Sequence, residues 1–362
     1  MTRESPALSL VILTWNSKAF IPDLLESIEY QRFRDFETIV VDNGSTDGTP
    51  DWIKNKAPEV RLFRNRKNRG FCRGMNRGVR EARGEFVLLL NADLTLDPEC
   101  LFALMQVAKA GLPGFGGVFP CVLFKDAPLF INAFGVDWHE RAHWRDGRVG
   151  MFHRNQKGHP ERVFGSIFPA VLIRRDIFLE SRGFDPMFFS YNEDFDLSYR
   201  LNILGFRWYI APNALMDHHY QVSIKSKKAE RAHHALFVRN YLAVFFKNYE
   251  FPSLKKEWKY ILYRYVGAPV RNAIRQKDWR SAWPPIKGLL GFILRLPIWF
   301  IKRRSIQKKR QVRDSELWST APIEEFNLFH YNGDLVMSVL NLRASRGNPV
   351  NYEAGGSKFT TS

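Results

Sequence analysis

Residues 85–98 read EFVLLLNADLTLDP, and the fold turns on that stretch. An unbroken apolar run from Phe86 to Leu90 stops abruptly at Asn91-Ala92-Asp93. Such a run, closed by a polar turn, suits a strand buried on both faces. Toward the N-terminus the same signature recurs at Leu8–Leu13, Phe36–Val41 and Val60–Phe63. Between these runs, Ile21–Tyr30, Trp52–Lys56 and Arg73–Arg83 space their apolar residues as helices do. Strands alternating with helices predict an α/β fold, a mostly parallel sheet flanked by helices. In such sheets ligands sit beyond the carboxyl ends of the strands. The polar clusters after the first, second and fourth strands are therefore expected on one rim.

Toward the C-terminus the reading is less regular. Residues 111–165, rich in Gly, Phe, Trp and His, predict an irregular excursion with short strands. Ala170–Arg174 returns as a strand, followed by an acidic turn, Tyr191 to Asp196, and a helix over Leu197–Leu204 with Gly205 as its C-cap. A strand at Arg207–Ile210 leads to Asp217-His218-His219. No internal repeat is visible.

Five clusters carry chemistry. Thr14-Trp15-Asn16 and Asp42-Asn43-Gly44-Ser45 end the first two strands, where Asp and Asn offer donors and acceptors to a base or ribose. Asn68-Arg69-Gly70 with Asn76 forms a third polar group. Each could equally be a turn or cap made for structural reasons. Asp93, at the end of a fully apolar strand, suits a hard divalent cation bridging a diphosphate, because such cations take oxygen ligands and keep several waters. Glu193, Asp194 and Asp196 place three carboxylates in one turn. One is enough to cap a helix, and a second facing a cleft can serve as a general base.

The order and spacing of these clusters resemble the family 2 glycosyltransferases of the GT-A fold, most closely the rhamnosyltransferase-like branch. The matching stretches are VILTWNS at 11–17, IVVDNGSTDGT at 39–49, NRGFCRGMNRG at 68–78, EFVLLLNADLTLDP at 85–98 and GFDPMFFSYNEDFDLSYRLNILGFRWYIAPNALMDHH at 183–219. The resemblance implies a nucleotide-sugar donor held by Thr14, Asn16, Asp42, Asn43, Asn68, Gly70, Asn76, Asn91 and Ala92. It implies a divalent metal, Mg²⁺ or Mn²⁺, on Asp93 and His218. Asn91 replaces the first carboxylate of the family's Asp-x-Asp motif. Asp194, beside Glu193, would be the catalytic base of an inverting transfer to an acceptor hydroxyl on a lipid-linked or cell-envelope glycan. A nucleotidyltransferase would want a basic phosphate loop near the first strand, which TWNSKAF does not supply.

The net charge of +17 is concentrated. Residues 255–313 hold 17 Lys and Arg against Glu257 and Asp278 alone, interleaved with Trp and Tyr. That pattern suits an anionic membrane surface; no motif supports nucleic-acid binding. Its most apolar stretch, Ile286–Ile301, is interrupted by Lys287, Arg295 and Pro297 and is short of the ~20 residues of a spanning helix. The alternative is that these helices pack on the catalytic domain. The three cysteines have no paired spacing, and the N-terminus lacks a signal-peptide pattern, so residence on the cytoplasmic face of a membrane is expected. The organisation read from sequence is a GT-A catalytic domain over 1–225, a basic, aromatic-rich helical module over 226–320, and an extension over 321–362 whose end, Glu353–Ser362, is expected to be disordered. A basic membrane- or polyanion-binding protein with a non-catalytic domain of this fold is the competing function.

Overall fold

The computed structural model describes residues 5–139, 143–145, 150–153, 158–219 and 227–318. The chain divides into a compact unit spanning residues 1–324 and a second spanning 325–362. The expected extension over 321–362 and the boundary after residue 225 both fall outside the described residues.

Strands β1 (Leu8–Thr14), β2 (Phe36–Asp42), β3 (Arg61–Arg64) and β4 (Phe86–Asn91) are parallel, with helices α1 (Ile21–Glu29), α2 (Thr49–Lys56) and α3 (Phe71–Glu81) between them. Then follow β5 (Leu94–Leu96), α4 (Cys100–Ala108), β6 (Phe115–Phe124), β7 (Ala127–Ala133), a ribbon of β8 (Asp137–His139) and β9 (His143–Arg145), β10 (Glu161–Val163), β11 (Ala170–Arg174), α5 (Arg175–Glu180), α6 (Glu193–Ile203) and β12 (Arg207–His218). The sheet runs β10-β12-β6-β11-β4-β1-β2-β3, with β5 added to β12 and β7 to β6. β11 is antiparallel to both its neighbours, so the sheet is mixed.

The apolar runs are continuous because both faces of the sheet are covered. On β1, Val11 joins one core while Leu10 and Ile12 join the other; on β4, Val87 and Leu89 oppose Leu88 and Leu90. Period-2 alternation of side chains makes every residue apolar when two layers of helices demand it.

Three expectations shift. The "irregular" region contains β6, a ten-residue strand at the middle of the sheet. Gly116, Gly117 and Pro120 hid it, as these residues are depleted in strands. Gly117 is there because a Cβ would lie 2.6 Å from the ring of buried Trp208 and 2.7 Å from the Leu172 carbonyl oxygen. Helix α6 begins at Glu193, not Leu197, since carboxylates in a first turn complement the helix N-terminus. β12 continues past Ile210, through an irregularity between Ala211 and Leu215, to end on His218.

After β12 the described chain is helical: α7 (Lys227–Asn248), α8 (Phe251–Leu262), a π-helical turn at Tyr263–Gly267, α9 (Ala268–Arg275), α10 (Trp279–Ile293), α11 (Leu296–Lys308) and α12 (Asp314–Trp318). Val238, Tyr241, Leu242 and Phe245 of α7, and Trp299 of α11, lie in the same core as Val11, Val87 and Leu89 of the sheet. Gly117→Ala is expected to destabilise the protein by ~1–3 kcal/mol through overpacking. A lowered urea midpoint at unchanged slope would register it.

Candidate active site

Parallel register sets Thr14 beside Asp42 and Leu13 beside Asn91, so the strand ends form one rim. The rim is built largely from its own polar side chains. The Thr14 hydroxyl donates to Asp42 Oδ1 at 3.3 Å, while Asp42 Oδ2 accepts the N–H groups of Gly44 and Ser45 at 3.2 Å. Asn16, in the left-handed region, donates its N–H to Ser45 Oγ and accepts from the Thr46 N–H, both at 2.8 Å. Asn43 is buried, donating to Asn68 Oδ1 and the Gly70 carbonyl and accepting from Asn65 and the Arg69 N–H. Gly70 has φ +85, and a Cβ there would meet the Phe189 carbonyl oxygen at 2.6 Å. Trp15, on the same rim, is largely exposed. Asn76 departs from this grouping: both ends of its amide bond the backbone of Phe184, tying α3 to the segment that leads to α6.

Asp93 and His218 are brought together by β5. That short strand pairs Leu94 with His218, Thr95 with Asp217 and Leu96 with Met216. Asp93 Oδ2 then lies 3.2 Å from His218 Nε2, and the His219 N–H donates to the Asp93 carbonyl at 2.9 Å. His219 turns its ring toward Phe20 and Asp23 instead. Burial would raise the Asp93 carboxyl, but His218 holds it below the usual carboxylate range. His218 Nδ1 is 2.8 Å from Asn132 Oδ1 on β7, a residue with no sequence signal. With Nδ1 donating to that oxygen, Nε2 faces a carboxylate oxygen, and only a proton or a shared cation reconciles the two. The pair thus fits a divalent cation. Among the described residues no third His, Cys, Asp or Glu converges there, so other positions would fall to water or a diphosphate.

The acidic turn separates into three environments. Asp196 is fully buried: burial would raise it, but Lys247 and Arg200 hold it low. Glu193 is buried with Oε2 unpartnered among the described residues, and burial followed by the charge of Asp194 pushes it up. Asp194 is half-buried and raised by burial to about 6, opposed by nearby backbone N–H groups, of which that of Phe195 donates to Oδ1 at 2.8 Å and that of Phe168 lies close by. Phe168 is next to Pro169, whose carbonyl accepts the Asn91 N–H at 2.9 Å. The Phe168-Pro169 dipeptide thus lies close to both Asp194 and the strand end at Asn91 that leads to Asp93.

The residues that hold this turn were missed by sequence reasoning. Phe189, Tyr191 and Asn192 all have φ between 64 and 70°, a conformation costly for bulky residues. Asn240 of α7 donates to the carbonyls of Phe188, Ser190 and Tyr191, Arg239 to those of Met187 and Phe188, and Asn192 to that of Phe237. Lys247, 1% exposed, bridges Asp185 and Asp196 at 2.8 Å each, and Lys302 of α11 also reaches Asp185. Burial would raise Asp185, but these two lysines hold it far below the carboxylate range. Their signal was Arg239, Asn240 and Lys247 standing in an otherwise apolar run, VRNYLAVFFKN.

A family model described as Glycosyl transferase family 2 matches residues 9–180. Over 250 residues the chain is 28% identical to an N-acetylglucosaminyl-diphospho-decaprenol L-rhamnosyltransferase of Mycobacterium tuberculosis, covering 63% of this chain and 81% of that relative. Over 129 residues it is 33% identical to a GalNAc(5)-diNAcBac-PP-undecaprenol beta-1,3-glucosyltransferase of Campylobacter jejuni, covering 34% and 41%. Among solved structures it resembles GalNAc-T7 with UDP, GalNAc and Mn²⁺, with a TM-score of 0.55 at 18% identity, over 75% of this chain and about half, 52%, of that one.

Removing Lys247 leaves Asp185 and Asp196 without their shared cation. Lys247→Met is expected to lower stability by ~3–5 kcal/mol, measured by denaturant unfolding. Both carboxyls are depressed in the folded state, so their contribution is present above the ordinary carboxylate range and fades as pH falls through the lowered values. The wild type should therefore lose stability in acid more steeply than the variant.

Proposed function

We propose that the chain is a glycosyltransferase, as the family 2 match over residues 9–180 and the GT-A-like fold support, and that it carries out an inverting, metal-dependent transfer to a lipid-linked acceptor. The donor is a nucleoside-diphosphate sugar lying along the rim of Thr14, Asn16, Asp42 and Asn68, with rhamnose as the sugar. The acceptor hydroxyl belongs to a diphospho-polyprenol-linked or other envelope glycan, and the enzyme works peripherally on the cytoplasmic face of a membrane. The relatives support the acceptor class, since their names specify diphospho-decaprenol and PP-undecaprenol substrates.

Asp93 and His218 would hold the cation, oriented by Asn132, and when bound it supplies Lewis-acid stabilisation of a departing diphosphate. Asp194 takes the proton of the acceptor hydroxyl while that oxygen forms its bond to the anomeric carbon. The bond from that carbon to the diphosphate oxygen breaks, and its electron pair leaves with the nucleoside diphosphate. A single displacement inverts the anomeric centre. Glu193, raised above its neighbour, stays neutral beside the charged Asp194, the division expected of two adjacent carboxyls with unlike environments. The observation that carries this reading is the Asp93–His218 pair, which β5 brings to 3.2 Å beside the rim where the parallel strands end.

Three outcomes test it. In a panel of nucleotide sugars, one donor should raise the melting temperature only with Mg²⁺ or Mn²⁺, and chelator should abolish the shift. Asn132→Ala should raise the metal concentration needed by ~10–100-fold, as loss of a ligand's orienting partner does. Asp194→Asn should keep donor stabilisation and lose ~10²–10⁴ in turnover, and the wild type's kcat/KM should fall as pH drops through about 6, because the base acts deprotonated. A donor-stabilised Asp194→Asn protein with full turnover would remove Asp194 from the mechanism.

A further inference from the structure

The outward side of α10 and α11 carries one apolar stripe. Trp279, Trp283, Leu290 and Leu294 recur at helical spacing, and the stripe continues past the helix break onto Ile298 and Ile301. All six are exposed, Leu294 at 79% and Ile301 at 72%. The opposite face of α10 is the packed one: Ala282, Pro285 and Phe292 are buried, and a Cβ on Gly288 would stand 2.7 Å from the Ala235 carbonyl oxygen of α7. The stripe is therefore surplus to the core, and no described residue covers it.

Its order along the chain is informative. Lys277 and Arg280 flank the tryptophans at one end, aliphatic residues occupy the break, and Arg304 and Lys308 follow at the other end, all four cations exposed. Basic, then aromatic, then aliphatic is the order met in passing from water through headgroups to acyl chains. Among the described residues no single helix is long and apolar enough to cross a membrane; by length and composition α10 and α11 reach that only as a pair, and they are bent by 65° at the break between them. α10, at 15 residues, is ~22 Å long, short of a ~30 Å hydrocarbon layer. A second copy of the chain is disfavoured by charge, since a two-fold contact on this face would set one cationic rim against another.

We propose that the α10–α11 elbow is a shallow insertion element for one leaflet of an anionic bilayer, with Leu294 and Ile301 among the upper acyl chains and Trp279 and Trp283 at headgroup depth. This deepens the lipid-linked acceptor reading, and its test needs neither donor nor acceptor, so each can fail alone. The full-length protein is floated with phosphatidylcholine vesicles, with and without phosphatidylglycerol. The wild type should bind the anionic vesicles, and the Leu294→Glu, Ile301→Glu double variant should bind at least ~10-fold more weakly, with its urea unfolding midpoint unchanged. Because Cys72, Cys100 and Cys121 are buried, a fluorophore on Leu294→Cys reports that site. It should shift blue with vesicles and be quenched by lipids brominated near the headgroup. Undiminished flotation of the double variant, equal binding to neutral vesicles, or a label already shielded without vesicles would overturn the proposal, the last by showing that another protein surface covers the stripe.

Discussion

The Lys247 ammonium, sealed between Asp185 and Asp196, is the interaction on which the candidate site rests. An ammonium so deeply buried survives only with opposite charge at contact distance, because the cost of removing it from water must be recovered locally. Here the recovery is doubled: two carboxylates from separate segments meet one cation, and Arg200 and Lys302 neutralise the remainder. The consequence is geometric. Asp185 precedes the turn and Asp196 follows it, so fixing both ends leaves residues 186–195 with little freedom. Left-handed backbone at Phe189, Tyr191 and Asn192 becomes tolerable because Asn240 and Arg239, on the same helix as Lys247, take up the carbonyls that this conformation exposes.

That arrangement explains how carboxylates crowded into one helical turn acquire different chemistry. Asp196 faces the cations and is held ionised. Glu193 is buried with one oxygen unpartnered among the described residues and the Asp194 charge beside it, and is held neutral. Asp194 lies between these extremes, raised by burial but relieved by backbone N–H groups, the Phe195 donor first among them. The helix N-terminus favours all three alike, so it cannot be what separates them. Burial and the placement of one lysine do.

Much of the sheet was legible because β1, β2 and β4 are buried on both faces, leaving a period and composition that no exposed strand shares. The rim followed, since parallel strands end together. β6 was illegible for the opposite reason: Gly117 yields its side-chain volume to Trp208, a residue far along the chain, and no local pattern announces that exchange. Asn132 was equally silent. A lone Asn is a common surface residue, and only the fold reveals that this one orients His218; Asn240 stands out in an apolar run, but its bracing of the turn before Glu193 shows only once α7 is placed. Asp93 and His218 were individually legible, but their meeting depends on β5, three residues that pair antiparallel with the end of β12.

The concentrated charge of residues 255–313 reads differently once the helices are placed. Lys302 faces Asp185; Arg303 donates to the carbonyls of Phe246 and Tyr249, Gln307 to those of Lys247 and Asn248, and Arg310 to that of Asn248. These groups satisfy the C-terminal carbonyls of α7, where cations are favoured by the helix dipole. Part of the basic run is thus internal machinery holding the helix that bears Asn240 and Lys247. The charge available to an outside partner is smaller than the sequence count, and Lys277, Arg280, Arg304 and Lys308 place part of it at the two ends of the stripe. Any affinity this face has for an anionic layer must then draw on its apolar area as well as on charge. α11 contributes to both, since Lys302 points to Asp185 while Ile301, its neighbour in sequence, points outward.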